Sequence, residues 1–240
     1  MPKSSHRSGG ASKNRVLAHL SADERDALAS KLETVSLPRG AVLYEQGSAV
    51  AFVYFPLSAV ISLLTILEDG SSVQVATVGN EGAVDMAAYL ELERAVVTAV
   101  VQLPGEALRI DARQFTTFLN VRGRFNDVLR RYTRTLLWQI TRSAGCNRFH
   151  LLEQRCARWL LSAQDRAMKD ELPLTHEFLS GMLGASRQAT GVIIERLERA
   201  RLIQTARGAL KILDRHGIEL LACECYAAVK EEGDSFWITQ

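Results

Sequence analysis

The chain has 240 residues, 47% of them hydrophobic and 23% charged, with a formal net charge of +2, which is enough for one large domain or two ordinary ones with a genuine core. No apolar run approaches the roughly 20 residues of a membrane span, and the first fourteen residues, MPKSSHRSGGASKN, hold no apolar stretch, so a disordered basic tail is expected there rather than a secretory signal. Four cysteines (Cys146, Cys156, Cys223, Cys225) are too few for a disulfide framework and read as reduced thiols of a cytoplasmic protein.

From Asn14 to Glu33 the apolar positions Val16, Leu17, Leu20, Leu28 and Leu32 recur at helical spacing. Ser21 and Glu24 form a capping box that starts a second helix. After a turn at Pro38-Arg39-Gly40 the texture changes. Six short β-rich runs follow, at 41–43, 51–55, 60–67, 73–77, 95–101 and 107–110, separated by Gly, Pro and Asn punctuation; this spacing predicts an antiparallel sandwich or barrel. Glu68-Asp69-Gly70 is its clearest hairpin turn, and a more helical piece between Gly82 and Arg94 interrupts it. A short helix over Asp111–Leu119 leads out.

A long helix begins near Arg124. Phe125, Leu129, Tyr132, Leu136, Ile140 and Ser143 alternate by four and three along it, a seam suited to a pair of parallel helices, so this stretch is expected to dimerise. The bland alternative is one helix packed on its own barrel. A further helix is expected over His150–Met168, burying Leu152, Cys156, Trp159 and Leu160.

The stretch from Leu174 to Leu213 carries the most specific pattern. Thr175 caps a short helix ending at Leu183, Gly184 breaks it, and Ser186 caps a second helix that buries Thr190, Ile193, Ile194 and Leu197. Two short helices about a glycine turn make a helix-turn-helix, whose second helix enters the DNA major groove. Leu202-Ile203, the turn Ala206-Arg207-Gly208 and the run Ala209–Leu213 add a β-hairpin wing. Arg187 and Gln188 then stand at the exposed start of the second helix, where side chains reach base edges. The tail is expected to be helical to Tyr226 and to fray beyond it.

Charge follows the same division. Residues 16–121 hold 6 Lys/Arg against 13 Asp/Glu, residues 122–158 hold 9 against 2, and residues 174–215 hold 7 against 4, so only the back half is expected to face nucleic acid.

This order of barrel, long helix and winged helix-turn-helix resembles the Crp/Fnr family of bacterial transcription regulators over about residues 15–225. The most specific stretch is LGASRQATG, residues 183–191, which is similar to the family pattern G-x-S-R-E-x-V-x-R. Arg187 falls on the arginine that reads guanine there, while Gln188 replaces a glutamate and Val192 a second arginine, so a different operator is implied. The family's phosphate cassette, F-G-E-[LI]-(x)n-R-[ST]-A, is not reproduced. Its counterpart is Gly79, Glu81, Gly82 and Asp85 with Arg94 as a stand-in for the phosphate arginine, the candidate effector pocket. Iron–sulfur members use cysteines near the N-terminus, whereas the first here is Cys146.

The resulting expectation is an α+β protein. Its parts are a tail (1–14), a cyclic-nucleotide-binding-like jelly-roll sensor (15–121), a dimerisation helix (122–148), a winged helix-turn-helix (149–226) and a C-terminal tail (227–240). It would be a homodimeric regulator on an inverted-repeat operator, with Thr175, Ser186, Arg187, Gln188, Val192 and Arg207 as DNA contacts. A change in the barrel would shift the two recognition helices through the seam. Its partners would be double-stranded DNA, a second copy, RNA polymerase and a small-molecule effector that is not cyclic nucleotide, with no membrane and no cofactor. The competing reading is a signalling protein whose C-terminal domain docks on protein. Cys223-x-Cys225 with His216 upstream could bind metal, but C-x-C alone is weak and needs two further ligands, and idle thiols are the expectation, so no metal is expected; His150 reads as a cap or surface residue, and Glu81 with Asp85 as chance spacing. No nucleophile elbow, Walker loop or dinucleotide fingerprint is present, and no enzymatic activity is expected.

Overall fold

The computed structural model describes residues 11–90, 92–119, 123–167 and 169–238. They form two compact units, one comprising residues 1–63 and 77–136, the other 64–76 and 137–240. Among the described residues no helix is long and apolar enough to cross a membrane.

The first unit opens with α1 (Arg15–Ala18) and α2 (Ala22–Ala29). The predicted capping box is present: Ser21 Oγ accepts from the Glu24 amide, and the Glu24 carboxylate accepts from the Ser21 amide at 2.9 Å. The second Glu24 oxygen accepts from the Phe125 amide at 3.1 Å, so one carboxylate serves two helix N-termini, where unpaired amides and the helix dipole favour negative charge. The expected tail does not extend to Asn14. Ala11 and Asn14 are buried, and Asn14 caps α1 while donating to the carbonyls of Pro56 (3.0 Å) and Gly82 (2.8 Å). The part of that expectation covering residues 1–10 lies outside the described residues.

Seven strands follow: β1 (Glu33–Leu37), β2 (Val42–Tyr44), β3 (Phe52–Pro56), β4 (Val60–Ile66), β5 (Ser72–Val78), β6 (Thr98–Leu103) and β7 (Gly105–Asp111). They make two sheets, ordered β1-β7-β3 and β2-β6-β4-β5. The six predicted runs correspond to β2–β7. β1 escaped notice because ETVSL buries only its last residue and lacks the alternation of a half-buried strand. It holds its place by backbone pairing, Glu33 opposite Arg109 through Leu37 opposite Gly105. The hairpin turn is where Glu68-Asp69-Gly70 placed it: the Leu67 amide donates to the Ser71 carbonyl at 2.9 Å and Asp69 accepts from the Ser71 amide. Between β5 and β6 stands α3 (Met86–Tyr89), and α4 (Ala112–Leu119) follows β7.

The long helix α5 (Arg124–Phe149) corrects the expected seam. Phe125, Leu129, Tyr132, Leu136 and Ser143 are already buried within one chain, Leu129 completely, and Ile140 is half-buried. Phe125 stacks edge-on against Phe115 (5.8 Å between centroids) and Phe118 (5.4 Å) and lies 6.4 Å from Phe55. These five side chains are covered within the chain itself and are not available to a second copy, whereas Ile140 stays partly accessible. Apolar side chains are stabilised where burial is fullest, and for Phe125, Leu129, Tyr132 and Leu136 that is the interior of the chain itself. A neighbouring stripe, Asn126, Arg130, Thr133, Leu137, Ile140 and Ala144, alternates strictly by four and three, shares Ile140 with the first and carries Leu137 60% exposed.

The second unit contains the end of α5, α6 (Leu152–Ala167), β8 (Glu171–Leu172), α7 (His176–Leu183), α8 (Arg187–Arg199), β9 (Ile203–Ala206), β10 (Ala209–Ile212), α9 (Arg215–Leu221) and α10 (Cys225–Ile238). Its small sheet runs β8-β10-β9. Arg215 is the polar centre, bonding Gln164 (2.7 Å), Asp165 (2.8 Å), Glu219 (2.9 Å) and the Tyr226 hydroxyl (2.6 Å), which ties α6, α9 and α10 together. The expected C-terminal tail from residue 227 is instead the body of α10.

Replacing Leu129 with Ala should cost about 2–5 kcal/mol, the range for a fully buried leucine. Urea unfolding of the two proteins measures it; a change below 1 kcal/mol would mean the α5 face is not part of the core.

Candidate nucleic-acid interface

The helix-turn-helix is built by local rules before it is built by packing. Thr175 Oγ1 accepts from the Phe178 amide and caps α7; Gly184 takes φ 59° and ψ 44° at its other end; Ser186 Oγ accepts from the Ala189 amide and caps α8. A left-handed residue there costs a side chain about 1–2 kcal/mol, which is why glycine occupies the turn. Space adds a second restriction, since a Cβ on Gly184 would lie 3.0 Å from the Val73 side chain of the β4–β5 hairpin, in the same unit. Beneath the turn Leu179, Ser180, Met182, Leu183, Thr190, Ile193, Ile194 and Leu197 are buried, as the sequence pattern requires. Arg155 of α6 fastens the end of α7 by donating to the Leu183 carbonyl.

With its apolar side committed, α8 turns Arg187, Gln188, Val192, Glu195, Arg196 and Arg199 outward. All six predicted DNA contacts, Thr175, Ser186, Arg187, Gln188, Val192 and Arg207, are exposed. Arg207 sits with Gly208 in the two-residue turn of the wing, where Ala206 pairs with Ala209. Glu198 holds wing and helix together by accepting from the Thr205 amide (2.7 Å) and hydroxyl (2.6 Å).

Two acidic residues on this surface were missed. Glu177 of α7 forms an ion pair with Arg187, and Glu195 pairs with Arg199 at 3.2 Å. Both pairs are solvent-exposed and therefore worth at most about 1 kcal/mol, so little holds either guanidinium in its place. The signal for Glu177 was its position in the first turn after the Thr175 cap, facing the start of the next helix.

The candidate effector residues do not share one environment. Gly79, Gly82 and Asp85 are buried, Glu81 is half-buried and Arg94 is exposed. Gly82 is covered by the Tyr132 ring, whose Oη would stand 2.3 Å from any Cβ added there. Arg94 donates to the Gly47 carbonyl at 2.7 Å. Asp85 takes φ 84°; one carboxyl oxygen accepts from the Ala87 amide at 3.0 Å, and the other has no hydrogen-bond partner. Burial pushes its carboxyl up to about 6, against the pull of the Ala87 and Ala88 amides. His216, suggested beside Cys223 and Cys225, is exposed and takes no part in the cluster those cysteines form.

Residues 34–122 match the cyclic nucleotide-binding domain and residues 154–221 match the Crp-like helix-turn-helix domain. No curated protein matches the chain. Among solved structures it is similar to a Crp/Fnr-family regulator from Eubacterium rectale, with 16% identity, a TM-score of 0.70 and coverage of 87% of this chain and 98% of that one. It is also similar to a c-di-GMP-responsive global regulator from Xanthomonas campestris (15%, 0.67, 80% and 99%) and to a CRP/FNR-family regulator from Thermus thermophilus (22%, 0.66, 79% and 98%).

The buried carboxyl predicts a pH dependence. The folded Asp85 holds its proton more tightly than the unfolded chain, so its contribution is full below about pH 4 and is lost as pH rises through about 6. Asparagine mimics the neutral acid and tolerates positive φ. Asp85→Asn should therefore match wild type near pH 4.5 and exceed it by about 2 kcal/mol at pH 7.5, measured by urea unfolding at both values. Equal pH slopes for the two proteins would show that Asp85 is ionised in the folded state.

Proposed function

Because the chain belongs to the Crp/Fnr family of transcriptional regulators, we propose that it binds an inverted-repeat operator as a homodimer, with α8 in the major groove. The observation that carries this reading is the start of α8, where Ser186 caps the helix and leaves Arg187, Gln188 and Val192 exposed along its first turns. Arg187, released from Glu177, offers a planar fork to O6 and N7 of guanine. Gln188 bonds adenine or bridges to phosphate, and the Val192 methyls suit the C5-methyl of thymine. Arg207 in the wing meets phosphate and fixes orientation without reading sequence.

Selection of bound DNA from a random pool, followed by titration of the selected site, tests this. Arg187→Ala should lose about 1–3 kcal/mol and relax preference at one G·C pair, and Arg207→Ala should weaken all sequences alike. Affinity should fall steeply with salt as counterions are released. Equal losses on every sequence for Arg187→Ala would make Arg187 a phosphate contact and the register of α8 wrong.

The second copy is proposed to pack on the exposed α5 stripe through Leu137, Ile140 and Ala144, the last being small enough to allow close approach. The barrel is proposed to answer a signal other than cyclic AMP or cyclic GMP, because Gly82 is closed by Tyr132 and Arg94 is engaged by Gly47. Leu137→Glu should give monomer by light scattering with unchanged unfolding of each chain, since a charge is tolerated on an exposed position but not in a two-helix contact. A Leu137→Glu protein that stays dimeric would move the interface to another surface.

A further inference from the structure

Two pairs of side chains from distant parts of the sequence converge in the second unit. Cys146 lies in the last turn of α5 and His150 one helical turn later, their backbones still joined by the His150 amide donating to the Cys146 carbonyl at 3.1 Å; the i, i+4 spacing sets both on one face. Cys223 and Cys225 flank the junction of α9 and α10. The three cysteines are buried, and the ligand atoms of all four residues lie within 4.8 Å of one another. Cys146 Sγ is 3.6 Å from Cys223 Sγ, and Cys225 Sγ is 3.7 Å from His150 Nδ1.

We propose that Cys146, His150, Cys223 and Cys225 form a tetrahedral Cys3His site for a zinc-type divalent ion that fastens the end of α5 to the α9–α10 junction. The distances suit one ion. Bonds of about 2.3 Å to sulfur and about 2.0 Å to nitrogen place tetrahedral ligand atoms about 3.5–3.8 Å apart. A polynuclear iron–sulfur cluster needs its thiolates spread further than this compact group allows. Four nitrogen and sulfur donors with no open position describe a structural rather than a catalytic site.

The surroundings of His150 give an independent indication. While Nδ1 faces the Cys225 sulfur, Nε2 lies 3.2 Å from the Glu224 carboxylate. A carboxylate accepting from one ring nitrogen fixes the tautomer that presents the other to a metal, the usual support of a ligating histidine. Arg155 and Arg158 act electrostatically on the same thiols and offset the net negative charge that three thiolates keep after binding a divalent cation. None of this depends on whether α8 meets DNA.

The test is metal binding by the full chain, purified under reducing conditions without chelator. Elemental analysis after gel filtration should find one zinc per chain. The Co2+-substituted protein should show thiolate charge-transfer bands and the intense visible bands of tetrahedral coordination. Cys146→Ser and Cys225→Ser should abolish stoichiometric binding, and Glu224→Gln, at an exposed position that leaves the fold intact, should weaken zinc about 10- to 100-fold. Cys156→Ser, which removes the cysteine outside the cluster, should bind like wild type. Folded wild-type protein that holds no stoichiometric zinc or cobalt, or that forms a Cys146–Cys223 disulfide in preference to the ion, would overturn the proposal. So would Glu224→Gln and His150→Gln proteins with unchanged affinity and spectrum. DNA affinity is not a readout here, so failure of the operator reading and failure of the metal site remain distinguishable.

Discussion

The commitment of one face of α5 to the protein's own core constrains much of the first unit. Phe125, Leu129, Tyr132 and Leu136 are buried along it, and the rings of Phe55, Phe115 and Phe118 gather round the first of them. Such burial is worth roughly 1.5–3 kcal/mol per large side chain, far more than any surface ion pair in the molecule. Two consequences follow. Tyr132, carried on that face, covers Gly82, and this close approach by itself requires a glycine there. Any contact with a second copy must use side chains that the core has left over, which on α5 means the stripe centred on Leu137.

The helix-turn-helix depends on a different balance. Its geometry is over-determined locally, with two hydroxyl caps, one left-handed glycine and a run of buried aliphatics all requiring the same arrangement. Agreement between levels of this kind is what makes a motif legible and a fold unique. It also explains why the exposed residues of α8 are free to vary in chemistry: nothing in the packing beneath them requires Arg187, Gln188 or Val192. Family membership accordingly fixes the scaffold, while Gln188 and Val192 depart from the family pattern on the side that faces outward.

Legibility in the sequence followed the same logic. Strands β2–β7, the Asp69-Gly70 turn, the Ser21 capping box and both helices of the helix-turn-helix each have a signal within a few residues, and each was readable. β1 and β8 were not, because they hold by pairing with β7 and β10 rather than by their own patterning. The four-three repeat along α5 was real but ambiguous. It reports that a face is apolar and says nothing of whether the chain itself or a copy covers it, and a neighbouring four-three repeat shares Ile140 with it. The C-terminal helix was cut short for a related reason: Lys230-Glu-Glu-Gly-Asp looks like fraying sequence, yet Tyr226, bonded to Asp165 and Arg215, anchors the start of α10 and lets the helix run on.

The cysteine–histidine cluster marks where sequence reading runs out most clearly. Cys223-x-Cys225 and Cys146-x-x-x-His150 are each weak when taken alone, and more than 70 residues separate them. Local reasoning paired the first with His216, which is nearer in sequence but lies on the exposed side of α9. What both pairs share is position: each sits where a helix ends or begins, so their backbones are already held by helix geometry and need only one docking event to meet. The Arg215 network provides that docking, since it bonds α6, α9 and α10 together and so fixes the α9–α10 junction that carries Cys223 and Cys225. Three thiols and an imidazole assembled in this way, with Glu224 on the far nitrogen of the imidazole, are a tertiary product of the fold, which no local pattern announces.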